Sequence, residues 1–290
     1  MAAREGVSPH GVPVKQVRRV LVEQNAFLGK AAGLRNWGSG VVALGSVAYC
    51  ADRYGRSEDM KVNTAKQKML AGKPALGAAI GLGSPMAGEL YTFQGWDFVL
   101  IDCQHGNWSL DTATAAIRSI SLGPAIPMAR VRVNEFFAIG SLLDRGAMGL
   151  VIPMVNNVEL ARKAAFAARF PPYGGRSQGG FGTGFHQVAP YEPWIDQELF
   201  LAVQIETAEA LENVEAILST DGVDGTWIGP ADLANSLALD VDTASGRQKH
   251  EDAIMRVLDA CRKTGKIPGI AGGIHGERWL EKGFQFVTCA

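Results

Sequence analysis

The sequence predicts a (β/α)8 barrel, and three observations carry that prediction. From residue 61 onward, short apolar runs alternate with amphipathic stretches until eight strand–helix pairs are nearly complete. The runs are near-continuous, as in DFVLIDC (97–103), which is the pattern of parallel strands buried on both faces. Polar residues able to do chemistry collect where the runs end, the edge at which α/β barrels carry their sites. An open doubly wound sheet is the alternative closure of the same pattern.

Taken in order, 63–71 reads as a short helix ending at Gly72, and 75–80 as the first strand. Ser84 followed by Pro85 supplies an N-cap and a proline at the first helical position, with Gly95 closing that helix. The second strand, 97–103, leads to a helix at 110–121 and a third strand at 126–131. Asn134 is placed to cap a helix that shows Phe136, Ile139 and Leu143 on one face and stops at Gly146. The fourth strand spans 149–155, and an alanine-rich helix at 158–170 ends before two prolines. An irregular connection, 171–198, is rich in Gly, Pro and aromatics; its GGFGTG run lacks the spacing of a dinucleotide fingerprint.

Residues 199–232 (LFLAVQIETAEALENVEAILSTDGVDGTWIGPAD) then form a strand ending in Gln204 and Glu206, and a helix with Leu211, Val214 and Leu218 on one face. A sixth strand, 225–229, runs into Pro230, Ala231 and Asp232. A helix at 250–264 carries Ile254, Val257 and Cys261 at helical spacing and ends at Gly265. A strand at 268–271, a short helix at 277–282 and a strand at 284–289 complete the count. The final helix is missing from the pattern, which would bare apolar barrel surface unless another chain or the N-terminal segment covers it. Residues 1–60 form the other region, an N-terminal extension to a barrel domain at 61–290. Their basic start and glycine-diluted apolar run fit a secretion signal poorly.

Composition narrows the function. A net charge of -1 offers no basic field for nucleic acid or an anionic membrane. No apolar run approaches the roughly 20 residues that span a bilayer. Cys50, Cys103, Cys261 and Cys289 are scattered without a CxxC pair, which argues against a zinc knuckle and suits a reducing, cytoplasmic setting.

The strand ends supply the candidate site. Glu206 and Asp232 end consecutive strands of one βαβ unit, and two buried like charges are costly unless a cation holds them. Each could alternatively serve the helix it precedes or opens; together they point to Mg²⁺ or Mn²⁺, with water and substrate oxygens completing the shell. His105 lies in a polar segment (QHGNWS) rather than on an apolar face, which suits a proton-transfer base, with Asp102 able to orient it. Arg130 ends the third strand and suits a substrate carboxylate, with Arg132 as the competing candidate.

The strings LIDCQHG, PMARV, LVIPMVNN, ARFPPYGGR, VQIETAEALENVEAI and GVDGTWIGPADL, taken in this order, resemble the HpcH/HpaI aldolases, metal-dependent class II pyruvate aldolases acting on 4-hydroxy-2-oxo acids. The likeness covers residues 63–290. It implies a (β/α)8 barrel holding Mg²⁺, Mn²⁺ or Co²⁺ at Glu206 and Asp232, with His105 as acid/base, Asp102 as its partner and Arg130 on the substrate. Gln204 would stand beside the metal, and the backbone near Ala231 would meet the pyruvate carboxylate. The implied substrates are a 2-oxo acid and an aldehyde, and the implied assembly is a homo-oligomer. Many members carry Glu where this chain has Gln104, and the family continues past the eighth strand into a helix exchanged between subunits.

Overall fold

Eight parallel strands close in sequence order, β1 pairing with β8, in a computed structural model that describes residues 62–180, 182 and 190–289. The extension at 1–60 lies outside the described residues. The strands are β1 (Ala75–Ile80), β2 (Phe98–Asp102), β3 (Ile126–Arg130), β4 (Gly149–Ile152), β5 (Phe200–Ile205), β6 (Gly225–Ile228), β7 (Gly269–Ala271) and β8 (Phe286–Thr288). The helices are α1 (Thr64–Leu70), α2 (Pro85–Thr92), α3 (Leu110–Ser121), α4 (Phe136–Leu143), α5 (Val158–Ala168), α6 (Tyr191–Glu198), α7 (Ala208–Glu212), α8 (Val214–Leu218), α9 (Pro230–Ser236), α10 (Ala244–Thr264) and α11 (Gly276–Lys282). Among the described residues no helix follows β8.

Alternation along each strand divides the core in two. One set of side chains, including Val99, Ile101, Leu201, Val203 and Val287, packs under the helices. The other, including Phe98, Met128, Phe200 and Phe286, fills the barrel. Phe286 stacks on Phe98 at 4.6 Å and meets Phe200 edge-on at 4.9 Å. Gly77 makes room for this stack, since a Cβ there would fall 2.1 Å from the Phe98 ring.

The N-terminal end of the barrel is closed by α1, whose Ala65 and Met69 belong to the interior cluster. Asn63 caps α1 through the Lys66 N–H and donates its own amide to the carbonyls of Met148 and Glu198, at 2.9 and 2.8 Å. Lys66 donates to the Gln197 and Leu199 carbonyls and pairs with Asp224, which also holds Arg169. Buried charges are thus paired at the end of the barrel away from the candidate site.

Several local expectations change. Glu135, not Asn134, stands at the cap of α4; the Asn134 amide instead donates to the Leu160 carbonyl of α5. Ser84 occupies its cap position without a side-chain bond. The helix expected within 199–232 breaks at Asn213 into α7 and α8, and α10 begins at Ala244, capped by Thr243. The connection at 171–198 contains α6, whose Trp194 and Ile195 are buried.

Candidate active site

At the C-terminal ends of β2 and β3, register sets Asp102 beside Arg130. Arg130 grips the carboxylate with two nitrogens, Nε to Oδ1 at 2.8 Å and Nη2 to Oδ2 at 2.5 Å. Asp102 Oδ1 also accepts from the backbone N–H groups of Gln104 and His105, at 3.1 and 3.3 Å. Asp102 was expected to orient the His105 imidazole; it holds the main chain of His105 instead. Burial pushes the Asp102 carboxyl up, and the Arg130 guanidinium more than reverses this, leaving it below the ordinary range. Arg130 also lies over the Trp227 ring at 5.0 Å. Both groups line a cavity of about 190 Å³ with Asp102, Leu100 and Thr288.

Arg132, the competing arginine, turns to the β2–α3 loop, donating to the carbonyls of Cys103 and Trp108 at 3.4 and 3.2 Å. The segment carrying His105 is therefore held at both ends, and His105 itself is exposed. Gly106 lets this loop sit against its neighbour: a Cβ there would fall 2.3 Å from the Asp102 carbonyl and 2.9 Å from Gly81 Cα.

Gln204 on β5 and Glu206 just past its end are both buried. Gln204 Nε2 donates to Glu206 Oε2 at 2.5 Å, and the Met154 N–H donates to Oε1 at 2.8 Å. Glu206 is not the helix cap; Thr207 takes that position and accepts from Ala210. Asp232 lies in the first turn of α9 behind Pro230 and Ala231, while Gly229 at the cap offers no side-chain bond. Burial raises the Glu206 carboxyl above its ordinary value, the Met154 N–H opposes this, and the charge of Asp232 raises it further. Arg130 and His105 also act on Glu206, lowering it. Four of the expected residues thus share one electrostatic neighbourhood.

The donor set fits a divalent cation. Gln204 Oε1 is buried with no hydrogen-bond partner, an acceptor orphaned beside the Glu206 carboxylate. Glu206 is buried at a cost in free energy that a nearby positive charge would relieve. Oxygen donors of this kind suit Mg²⁺ or Mn²⁺ better than zinc. Among the described residues no group of three or more His, Cys, Asp or Glu gathers that could hold a metal ion.

A protein-family model described as HpcH/HpaI aldolase/citrate lyase matches residues 80–289. The chain belongs to that family. It is an aldolase, and so an enzyme of the carbon–carbon lyase class. A 4-hydroxy-2-oxo-heptane-1,7-dioate aldolase from Salmonella dublin is 35% identical over 234 residues, covering 78% of this chain and 87% of that protein. The crystal structure of a family member from Burkholderia cenocepacia J2315 superposes with a TM-score of 0.72 at 31% identity, covering 78% of this chain and 92% of that one. An HpcH/HpaI aldolase from Desulfitobacterium hafniense DCB-2 gives 0.70 at 27% identity, covering 78% and 89%.

Two neighbours of Glu206 in this aldolase stand outside the candidates that the strand ends offered. Met154 adopts a left-handed backbone, φ 56°, to aim its N–H at Glu206. Nothing in PMVNN marks that conformation, since the residue is not Gly or Asn. Gly229 is the second: a Cβ would fall 2.9 Å from Gln204 Nε2 and 3.4 Å from Glu206 Oε2. The glycine beside the proline was the available signal.

Proposed function

We propose that this aldolase is metal-dependent and makes or breaks the bond between pyruvate, or a close 2-oxo acid, and an aldehyde. The observation that carries the reading is Glu206, buried and raised by burial, with Asp232 charged nearby and an orphaned Gln204 oxygen beside it. When bound there, Mg²⁺, Mn²⁺ or Co²⁺ supplies Lewis-acid polarisation of the 2-oxo acid. Glu206 and Asp232 would hold it, and Gln204 would add a neutral oxygen.

The chain's own groups divide the remaining work. His105 takes the proton of the 4-hydroxyl in the cleavage direction. That oxygen becomes the aldehyde carbonyl as the C3–C4 bond breaks, and the electron pair is drawn toward the 2-oxo group. A proton delivered to C3 then completes the methyl group of pyruvate. Arg130 has Nε and Nη2 committed to Asp102, so Nη1 is the nitrogen left for a substrate oxygen. Asp102 keeps that guanidinium in place, and the amino end of α9 at Ala231 offers N–H groups to a carboxylate. The free thiols of Cys103, Cys261 and Cys289 suit a cytoplasmic enzyme, and the family likeness supports a homo-oligomer.

Pyruvate release from 4-hydroxy-2-oxo acids is expected to stop with EDTA and return with Mn²⁺. Glu206→Gln, which keeps an acceptor for Met154 but removes the charge, should abolish Mn²⁺ binding and activity together. Full activity in that variant, or borohydride trapping of a covalent pyruvate adduct, would sink the proposal.

A further inference from the structure

The turn that carries Asp232 is poorly anchored by its own helix. Helix α9 has seven residues, its N-cap is Gly229, and Pro230 brings no N–H. Its orientation must come from what it packs on. On one side Gly229 lies against Gln204 and Glu206. On the other a side chain reaches back from α10: His250 Nε2 stands 2.8 Å from the Pro230 carbonyl.

A carbonyl only accepts, so Nε2 carries the proton of this hydrogen bond. The platform behind His250 is firm. Helix α10 has 21 residues, is capped by Thr243 and closed by Gly265 in the left-handed conformation, and buries Ile254, Val257, Leu258 and Cys261. Among the described residues, the imidazole is the side chain that ties the Pro230 carbonyl to that platform.

We propose that His250 is a positioning residue for Asp232. By fixing the Pro230 carbonyl it sets the angle of the first turn of α9, and hence where the Asp232 carboxylate stands relative to Glu206. The inference rests on the reading of Glu206 and Asp232 as a cation-binding pair. It differs from that reading in its residue, its helix and its test. Partners that orient metal ligands without touching the metal are worth roughly 10- to 100-fold in affinity when removed. His250 acts through a main-chain turn, so its effect belongs at the lower end.

Free Mn²⁺ would be followed by electron paramagnetic resonance during titration of the full chain and three variants, with KM, kcat and melting temperature alongside. Asp232→Asn should weaken Mn²⁺ binding on the order of 100-fold. His250→Leu should weaken it about tenfold and raise the metal requirement of the reaction. His250→Gln, which restores an N–H donor of similar reach, should recover most of the loss. If Asp232→Asn binds Mn²⁺ like the unaltered chain, the cation reading fails and this inference with it. If Asp232→Asn loses binding but His250→Leu keeps it, or Leu and Gln weaken it equally, the inference alone is overturned. Should His250→Leu not fold, ¹⁵N spectra of the unaltered protein decide: an Nε2–H imidazole is expected, and an Nδ1–H tautomer would overturn the inference.

Discussion

Asp102 shows how one side chain can serve both stability and the candidate site. Its carboxylate is shared between Arg130 and the N–H groups that begin the His105 loop. Burial pushes its carboxyl up, the guanidinium reverses this, and the folded value ends below the ordinary one. A carboxyl lowered by folding adds stability above its unfolded value, about pH 4, and that stability is lost as pH falls through the lower folded value. Asp102→Asn should therefore cost about 3 kcal/mol at pH 7, because it leaves the guanidinium buried without its charge partner. The difference from the unaltered chain should shrink as urea unfolding is repeated toward pH 3; a constant difference would show that charge is not the cause. Both residues were legible as strand ends, but their pairing was not. It depends on the register of β2 against β3, which no single strand's sequence contains.

At the scale of elements, the site is built where loops leave the strands, and the loops are shaped by backbone as much as by side chains. Met154→Gly should keep the N–H bond to Glu206, relieve the left-handed strain and change stability by no more than about 1 kcal/mol. Met154→Val, β-branched at the same φ, should turn the peptide away and lower kcat/KM about tenfold, roughly the 1.4 kcal/mol of a lost net hydrogen bond. Gly229→Ala should act similarly, since its methyl must displace Gln204 or Glu206; unchanged Mn²⁺ affinity in that variant would contradict the tight packing. Strand positions were readable because parallel strands are apolar throughout and their ends turn polar abruptly. Helix α6 was not, because the prolines and glycines before it read as loop until Trp194 and Ile195 find a core to enter. Asn134 misled for a related reason: a good capping residue is also a good amide donor, and the Leu160 carbonyl of the neighbouring helix took it.

The whole molecule separates its tasks along the barrel axis. Phe98, Phe200 and Phe286 stack inside the barrel, and Phe286→Ala should cost about 3–5 kcal/mol in urea unfolding, weakening the β1–β8 closure. The alternation of strands and helices foretold a closed barrel, and eight strands in sequential order follow it. The closure at β1–β8 could only be inferred, because it joins residues more than 200 positions apart in sequence.

The cap at Asn63 also sets how short a gene for this enzyme can be. Its side-chain amide is seated on Met148 and Glu198, and its main-chain N–H donates to the Glu198 carboxylate at 2.5 Å. A reading frame opened at Met60 would preserve every one of these bonds. One opened after Asn63 would remove the stopper from the barrel floor and strip the Asn63 amide from the Met148 and Glu198 carbonyls, of which Met148 would keep the Phe200 N–H. Trypsin offers a simple check: native protein should resist cleavage after Lys66, whose ammonium is sunk among the Gln197 and Leu199 carbonyls and Asp224.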